Sequence, residues 1–331
     1  MKPATIYDVA KRAGVSHQTV TRFLRGAEGV RAETGRRVEE ALRELDYRPN
    51  AAARLLRSRQ TNRIGVLTDR IVPNGPVSII NAASETAHER GYVLDVVVTD
   101  GTSSGSVASS LAVLIDHQVA GILAAANTEV VVEEIRRQEL RVPLVLSQDL
   151  NIRPHRLPTG QVAGRVAAQH LIDLGHRRVG FLAGPEVWMA SQDRARGFTA
   201  AFADVGGEIV WQRYGDWTPT SGHDAWEALS PLERTVTAVG VANDAMAIGL
   251  MAAASESGRR LPEDLSVIGM DDVPEARYLR PSLSTVSLDF VQEGHELMRL
   301  LLDRIEGIER SADAAAVEPR LVSRLSTSRR A

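Results

Sequence analysis

The sequence predicts a small all-α head, a short linker, and an α/β core of two lobes, each a doubly wound parallel sheet. Three observations carry that prediction. Residues 6–45 read as three short helices. From residue 64 onward short apolar runs alternate with helical stretches, and the alternation begins afresh near residue 177, the signature of βαβ units. Charge divides at the same boundary: residues 1–63 carry 14 Lys/Arg against 7 Asp/Glu, and the remainder carries 25 against 35.

Length and composition bound the rest. At 331 residues, 44% hydrophobic and 24% charged, the chain has room for two or three domains and a substantial core. The absence of cysteine excludes disulfides, thiolate–metal sites and thiol catalysis. No apolar run reaches the roughly 18 residues of a membrane span. "MKPATIYDVA" lacks the apolar stretch of a signal peptide, so no membrane contact and a cytoplasmic location are expected. A basic head on an acidic body is the asymmetry expected of a nucleic-acid binder.

In the head, Thr5 can cap a helix whose third residue, Asp8, reaches back to it. Ile6, Val9, Ala10 and Ala13 fall on one face, and Gly14 suits the left-handed position that ends a helix. Val15 reads as a buried plug, and Ser16 caps a second helix, "HQTVTRFL", whose Val20 and Leu24 point inward. That leaves His17, Gln18, Thr21 and Arg22 outward. A third helix from about Ala32 to Leu45 places Val38, Ala41, Leu42 and Leu45 on one stripe. Two short helices joined through glycine make a helix-turn-helix, whose second helix fits the major groove of double-stranded DNA. There Gln can pair with adenine, Arg with guanine, and Thr can touch a thymine methyl or a phosphate.

"MKPATIYDVAKRAGVSHQTVTRFL", followed by "VEEALRELDYRPNAAARLL", resembles the LacI/GalR family of bacterial transcription regulators, and the resemblance runs along essentially the whole chain. It implies that His17, Gln18 and Arg22 are the main base-reading positions, within a DNA-facing set that also holds Thr5, Tyr7, Ser16, Thr19 and Thr21. In the linker "YRPNAAARLLRSRQTNR", Pro49 stops the third helix and Asn50 can cap a short, marginal helix to about Ser58. The resemblance makes this a hinge helix that pairs with its twin in the minor groove, with Ala53 at the helix-pair contact and Leu56 wedged between base steps. The expected division is a head at 1–47, a hinge at 48–63 and a core at 64–331. Its lobes comprise about 64–159 plus 290–317, and about 160–289 plus 318–331.

Within the core, "IGVLT" (64–68), "YVLDVVV" (92–98), "VAGILAA" (119–125) and "VPLVLS" (142–147) read as parallel strands. So do "RRVGFLAG" (177–184), "GEIVWQR" (207–213), "TAVGVA" (237–242) and "LSVIGM" (265–270). No dinucleotide or P-loop glycine motif follows a strand, and neither HExxH nor GxSxG occurs. Catalytic residues, metal ligands and cofactors are therefore not expected, and Glu133 and Glu134 read as a solvated helix face. Ligands in this architecture sit at the carboxyl ends of strands. There the chain places Arg194, Asn243 and Asp271, planar polar groups suited to sugar hydroxyls, and Trp188 and Trp217, aromatic faces suited to sugar C–H groups. Trp211 and Trp226 read as core.

The lobes resemble periplasmic sugar-binding proteins, and by that resemblance the effector ligands include Arg194, Trp217, Asn243 and Asp271, together with Phe290. The chain also departs from the family's lactose-responsive member: Ala125 replaces an asparagine, Leu288 a glutamine, and Trp188 and Ala190 replace serines. A galactoside or another glycoside is the expected effector. "RLVSRLSTSRRA" carries no leucine heptads, so a homodimer on a near-palindromic operator is expected. The resulting expectation is a sugar-induced repressor without enzymatic activity. Its rivals are a purine- or partner-protein-co-repressed regulator and, from another class, a sugar-binding module or enzyme with a vestigial head.

Overall fold

The computed structural model describes residues 4–24, 31–45, 61–69, 75–125, 128–150, 157–308 and 318–330. A break between Thr61 and Asn62 separates two compact units. The first contains α1 (Ile6–Ala13), α2 (His17–Leu24) and α3 (Ala32–Glu44). Val9, Ala13, Val20, Val38 and Ala41 meet in its core, with Leu42 and Leu45 partly buried against them, so the predicted stripe of α3 does close it. Val15 is half-buried rather than a full plug.

The second unit begins with a four-stranded parallel sheet in the order β2-β1-β3-β4: β1 (Arg63–Thr68), β2 (Val93–Val98), β3 (Gly121–Ala124) and β4 (Leu144–Leu146). The crossovers are α4 (Gly75–Glu89), α5 (Ser104–Asp116) and α6 (Glu129–Arg137). β1 is buried on both faces. Ile64 and Val66 join one apolar cluster, while Leu67 joins another with Leu111 and Leu114. This is why β1 reads as an unbroken apolar run rather than an alternating one. Each such side chain contributes roughly 1.5–3 kcal/mol on burial. Glu134 is not on a solvated face. It is buried, accepting from Ser104 Oγ at 2.6 Å and Gln138 Nε2 at 2.8 Å. Those donors hold its carboxyl below the usual range. Glu133 is exposed as expected.

After α7 (Thr159–Asp173) comes a six-stranded sheet in the order β10-β9-β8-β7-β5-β6. Its strands are β5 (Arg178–Ala183), β6 (Glu208–Tyr214), β7 (Ala238–Val241), β8 (Ser266–Asp271), β9 (Ser284–Ser287) and β10 (Arg320–Val322). The helices between them are α8 (Met189–Asp204), α9 (Pro219–Glu227) and α10 (Asp244–Glu256). Phe181, Phe198, Phe202 and Trp226 fill the core of this lobe. α7 and α8 press together at Gly164 and Gly197, where a Cβ on either would collide with the other helix's backbone. That close contact fixes the position of α8.

All eight strands expected from the sequence are present, with ends moved by at most two residues. The all-parallel expectation fails at one edge, where β10 runs antiparallel to β9. β9 itself, "STVS", has no apolar run. Its Ser284 and Thr285 are fully buried because neighbours satisfy their hydroxyls: Arg324 N donates to Ser284 Oγ at 2.9 Å, and Thr285 Oγ1 donates to Asp244 at 2.6 Å. Between β9 and β10 the chain returns to the first lobe as α11 (Phe290–Glu306), which lies on α4 and buries Leu297, Met298, Leu301 and Leu302 beside Ile64. Among the described residues no helix is long and apolar enough to cross a membrane.

Candidate functional site

Two groups of predicted residues are each described within their own unit. In the head, Thr5 and Asp8 form a reciprocal cap: Thr5 N donates to Asp8 Oδ2 at 2.8 Å and Asp8 N to Thr5 Oγ1 at 3.4 Å. Gly14 ends α1 in the left-handed conformation, φ 64°, and Arg37 donates to the Ala13 and Gly14 carbonyls left over at that helix end. Ser16 Oγ accepts from Thr19 N at 3.2 Å and so caps α2. These bonds fix α2 without using its outer face. There Gln18 and Arg22 are exposed, and Tyr7, 61% exposed, packs its ring 5.2 Å from that of His17. Thr21 Oγ1 donates to His17 O at 2.9 Å, so of the two expected contacts the one to a thymine methyl is unaffected and the one that would donate to a phosphate competes with this bond. Asn50, Ala53 and Leu56 lie outside the described residues.

In the second lobe the expected ligands do converge at the carboxyl ends of β5 to β8. Arg194 lies on α8, not on a loop, and points across the strand ends. It donates through Nη1 to Ala242 O, and the same nitrogen is 3.2 Å from Asp271 Oδ1. Asp271 closes β8 at φ 117° and Trp217 sits after β6 at φ 73°, both in the region that side-chain-bearing residues rarely adopt. The Arg194 guanidinium stacks over the Trp217 ring, 5.5 Å from its centroid, and Trp188 meets that ring edge-on at 6.0 Å and 68°. The Trp217 indole lies on Gly184, where any Cβ would collide with it. Phe290 and Asp271 border a cavity of about 230 Å³ together with Ser78 and Leu288.

Asn243 has a structural task beside the expected one. Its Oδ1 accepts from Met246 N at 2.9 Å, capping α10, and its Nδ2 donates to Trp217 O at 3.0 Å. It therefore holds Trp217 in place. Asp244, next in the chain, is fully buried and accepts from Thr285 Oγ1 at 2.6 Å and Val273 N at 2.9 Å, which ties down the turn that presents Asp271. Burial, with the neighbouring Asp271 charge, pushes the Asp244 carboxyl up to about 8. Burial likewise raises Asp271 to about 6 against the opposing pull of Arg194.

What singles this cluster out as a candidate binding site is its unsatisfied hydrogen-bonding capacity. Ser191 Oγ, Arg194 Nε and Trp217 Nε1 are buried yet make no hydrogen bond to any described residue. Buried polar atoms normally have partners, and leaving one without costs about 1–3 kcal/mol. The core tryptophans behave oppositely: Trp211 Nε1 donates to Glu233 O at 3.1 Å and Trp226 Nε1 to Ser257 Oγ at 2.9 Å. Ser191 and Asp244 are not among the residues expected from the sequence. Ser191 could have been found from its i, i+3 spacing to Arg194 on one helix.

Comparison with known proteins agrees with both halves. Residues 5–50 match the bacterial regulatory proteins of the lacI family, and residues 168–327 match a periplasmic binding protein-like domain. The HTH-type transcriptional repressor PurR of Edwardsiella ictaluri is 34% identical over 335 residues, 98% of this chain and 96% of that protein. Its counterpart from Mannheimia succiniciproducens is 31% identical over 332 residues, 98% of each. Among solved structures, the lac repressor dimer bound to operator and the anti-inducer ONPF matches with a TM-score of 0.87 at 29% identity, covering 99% of this chain and 100% of that one. The transcriptional regulator CelR in complex with cellobiose matches at 0.71 and 28% identity, covering 98% and 99%.

Proposed function

This chain belongs to the LacI family of bacterial regulatory proteins, DNA-binding repressors with an effector domain, and from that premise we propose that a neutral sugar held around Arg194 lowers its affinity for operator DNA. The observation that carries the sugar reading is the cluster of Arg194, Asp271, Trp217 Nε1 and Ser191 Oγ beside two indoles at 68°. Sugar hydroxyls both donate and accept, so one ring can serve a carboxylate, a guanidinium and an indole N–H together, with its C–H face against a tryptophan. Two indoles set edge to face form a corner rather than parallel faces that would sandwich a planar base. That favours a glycoside over the alternative, a purine co-repressor that tightens operator binding through the same pocket.

The head reads bases through Gln18 and Arg22 on α2, in a cytoplasmic homodimer whose two-fold axis matches a near-palindromic operator. The dimeric, operator-bound lac repressor supports that assembly. Asn50, Ala53 and Leu56 are assigned to the hinge on sequence alone, as is the division at 1–47, 48–63 and 64–331. The test is a paired titration. Galactosides, other glycosides and nucleobases are titrated by calorimetry, and DNA selected from a random pool is followed by fluorescence anisotropy with and without each binder. A sugar that binds and releases the DNA supports the reading. A nucleobase that binds and tightens it reverses the sign, and a binder that leaves DNA affinity unchanged removes the coupling.

A further inference from the structure

Glu293 lies on α11 one turn beyond Phe290, which borders the cavity. α11 turns Gly294, Leu297, Met298, Leu301 and Leu302 inward, and Phe290 opens the same face against Gly75. Helical spacing puts Glu293 on that face, one turn beyond Phe290 and one before Leu297. An apolar residue belongs there by pattern. A carboxylate costs desolvation, which the nearby helix N-terminus offsets only in part. The other glutamates of this helix are partnered: Glu296 accepts from Gln292 and Arg299, and Glu306 pairs with Arg90. The Glu293 carboxylate makes no hydrogen bond or ion pair with any described residue. The charge that reaches it is that of Arg194, on the other lobe; burial outweighs it and pushes the Glu293 carboxyl up to about 7.

We propose that Glu293 is the first lobe's polar contact to the effector and sets its charge class, accepting from a hydroxyl or amine of a neutral or cationic sugar and excluding sugar phosphates. This rests on the sugar reading and deepens it. The single guanidinium of Arg194 already serves Asp271 at 3.2 Å, and its charge is the one that acts on Glu293, one helical turn beyond the cavity-lining Phe290. The site therefore sets two carboxyl groups against one guanidinium and has no cation to spare for an anion, while its open donors, Arg194 Nε and Trp217 Nε1, suit neutral oxygens. A phosphate would have to displace Asp271 from Arg194 while lying beside two carboxylates, a repulsive element that selects against it. A donor that reaches Glu293 while the rest of the ring is held by Arg194 and Asp271 also ties the two lobes together.

The test compares wild type, Glu293→Gln, Glu293→Leu and Arg194→Met by calorimetry with methyl β-galactoside, cellobiose, galactosamine and galactose 6-phosphate. Glu293→Leu should bind the neutral sugars roughly ten-fold or more weakly, yet melt at higher temperature, because leucine completes the apolar face. Glu293→Gln should erase any preference for galactosamine and narrow the discrimination against the phosphate by about ten-fold. Unchanged relative affinities across the four probes in Glu293→Gln, with Arg194→Met still abolishing binding, would overturn the role of Glu293 alone. If no probe binds wild type, or Arg194→Met leaves binding intact, the sugar reading fails and this inference falls with it.

Discussion

Replacing Arg194 with methionine separates the pocket from the rest of the molecule. Methionine keeps the length and apolar stem but removes the ion pair to Asp271, the hydrogen bond to Ala242 O and the stacking on Trp217. The arginine and aspartate side chains are only 9% and 8% exposed, so water does not replace what is lost. Breaking a buried pair from one side costs about 3–5 kcal/mol. Here the lower end is expected, because burial has already raised the Asp271 carboxyl to about 6 and it can take up a proton when Arg194 goes. The core should lose about 3 kcal/mol in urea unfolding. Sugar affinity should fall further than folding alone explains: one hydrogen bond to a charged group is worth about 1.5–3 kcal/mol, or roughly 10- to 150-fold. Operator affinity measured at 25 °C, where the protein stays folded, should remain within two-fold, since the head has its own core. Wild-type sugar affinity in this variant, or loss of operator binding in step with sugar binding, would refute the assignment.

Arg22→Ala and Gln18→Ala should each cost about 1–3 kcal/mol on selected operator and relax one base position, measured by competition against single-base variants; equal losses on random DNA would mean phosphate contact only. Gly184→Ala forces the Trp217 ring off its seat and should weaken sugar binding by at least about ten-fold in calorimetry while sparing operator affinity. Asp244 and Glu293 hold raised pKa values of about 8 and about 7, so the folded core binds protons that the unfolded chain releases. Stability from these groups is present at low pH and is lost as pH rises through them. His170 and His176, lowered by burial, act the other way but only up to about 6.5, which leaves the range above 6.5 to the carboxylates and to exposed His223, raised by its hydrogen bond to Glu256 and acting in the same direction. Denaturation should show stability falling across that window, and Asp244→Asn should flatten the fall. Sedimentation should find a dimer at micromolar concentration, and a monomer that still binds full operator tightly would contradict the two-fold reading.

Elements whose cause is local were legible in the sequence. "TIYD" announces its own cap because both partners lie within one turn, and β1, β3, β5 and β7 announce themselves because burial on two faces leaves no polar position. Trp217 and Asp271 are legible because the chain must turn just after a strand and ligands collect where it turns, whereas Arg194 reaches the strand ends from the second turn of α8 and its place rests on the family resemblance. What escaped depends on distant partners. Ser284 and Thr285 look like loop residues until Arg324 and Asp244 satisfy them from elsewhere in the chain. Glu134 looks solvated until Ser104, 30 residues earlier, donates to it. Asn243 illustrates a different limit: a planar amide after a strand suits both a ligand and a helix cap, and the cap shows only through the Met246 and Trp217 contacts. Glu293 was overlooked because helical phase shows the face it occupies but not what stands opposite.

The return of the chain through α11 and β10 also bears on how the molecule is made. The first sheet has all its strands by Leu146, but the face that α4 covers in part stays incomplete until Leu297, Met298, Leu301 and Leu302 arrive. The second sheet is missing an edge until Val322 pairs with Thr285. During synthesis at about 5–20 residues per second, the head alone can finish folding early, while both lobes wait, with apolar surface open to chaperones, for the same late stretch of chain. A repressor assembled in that order acquires its DNA-reading part well before the part that can be told to let go.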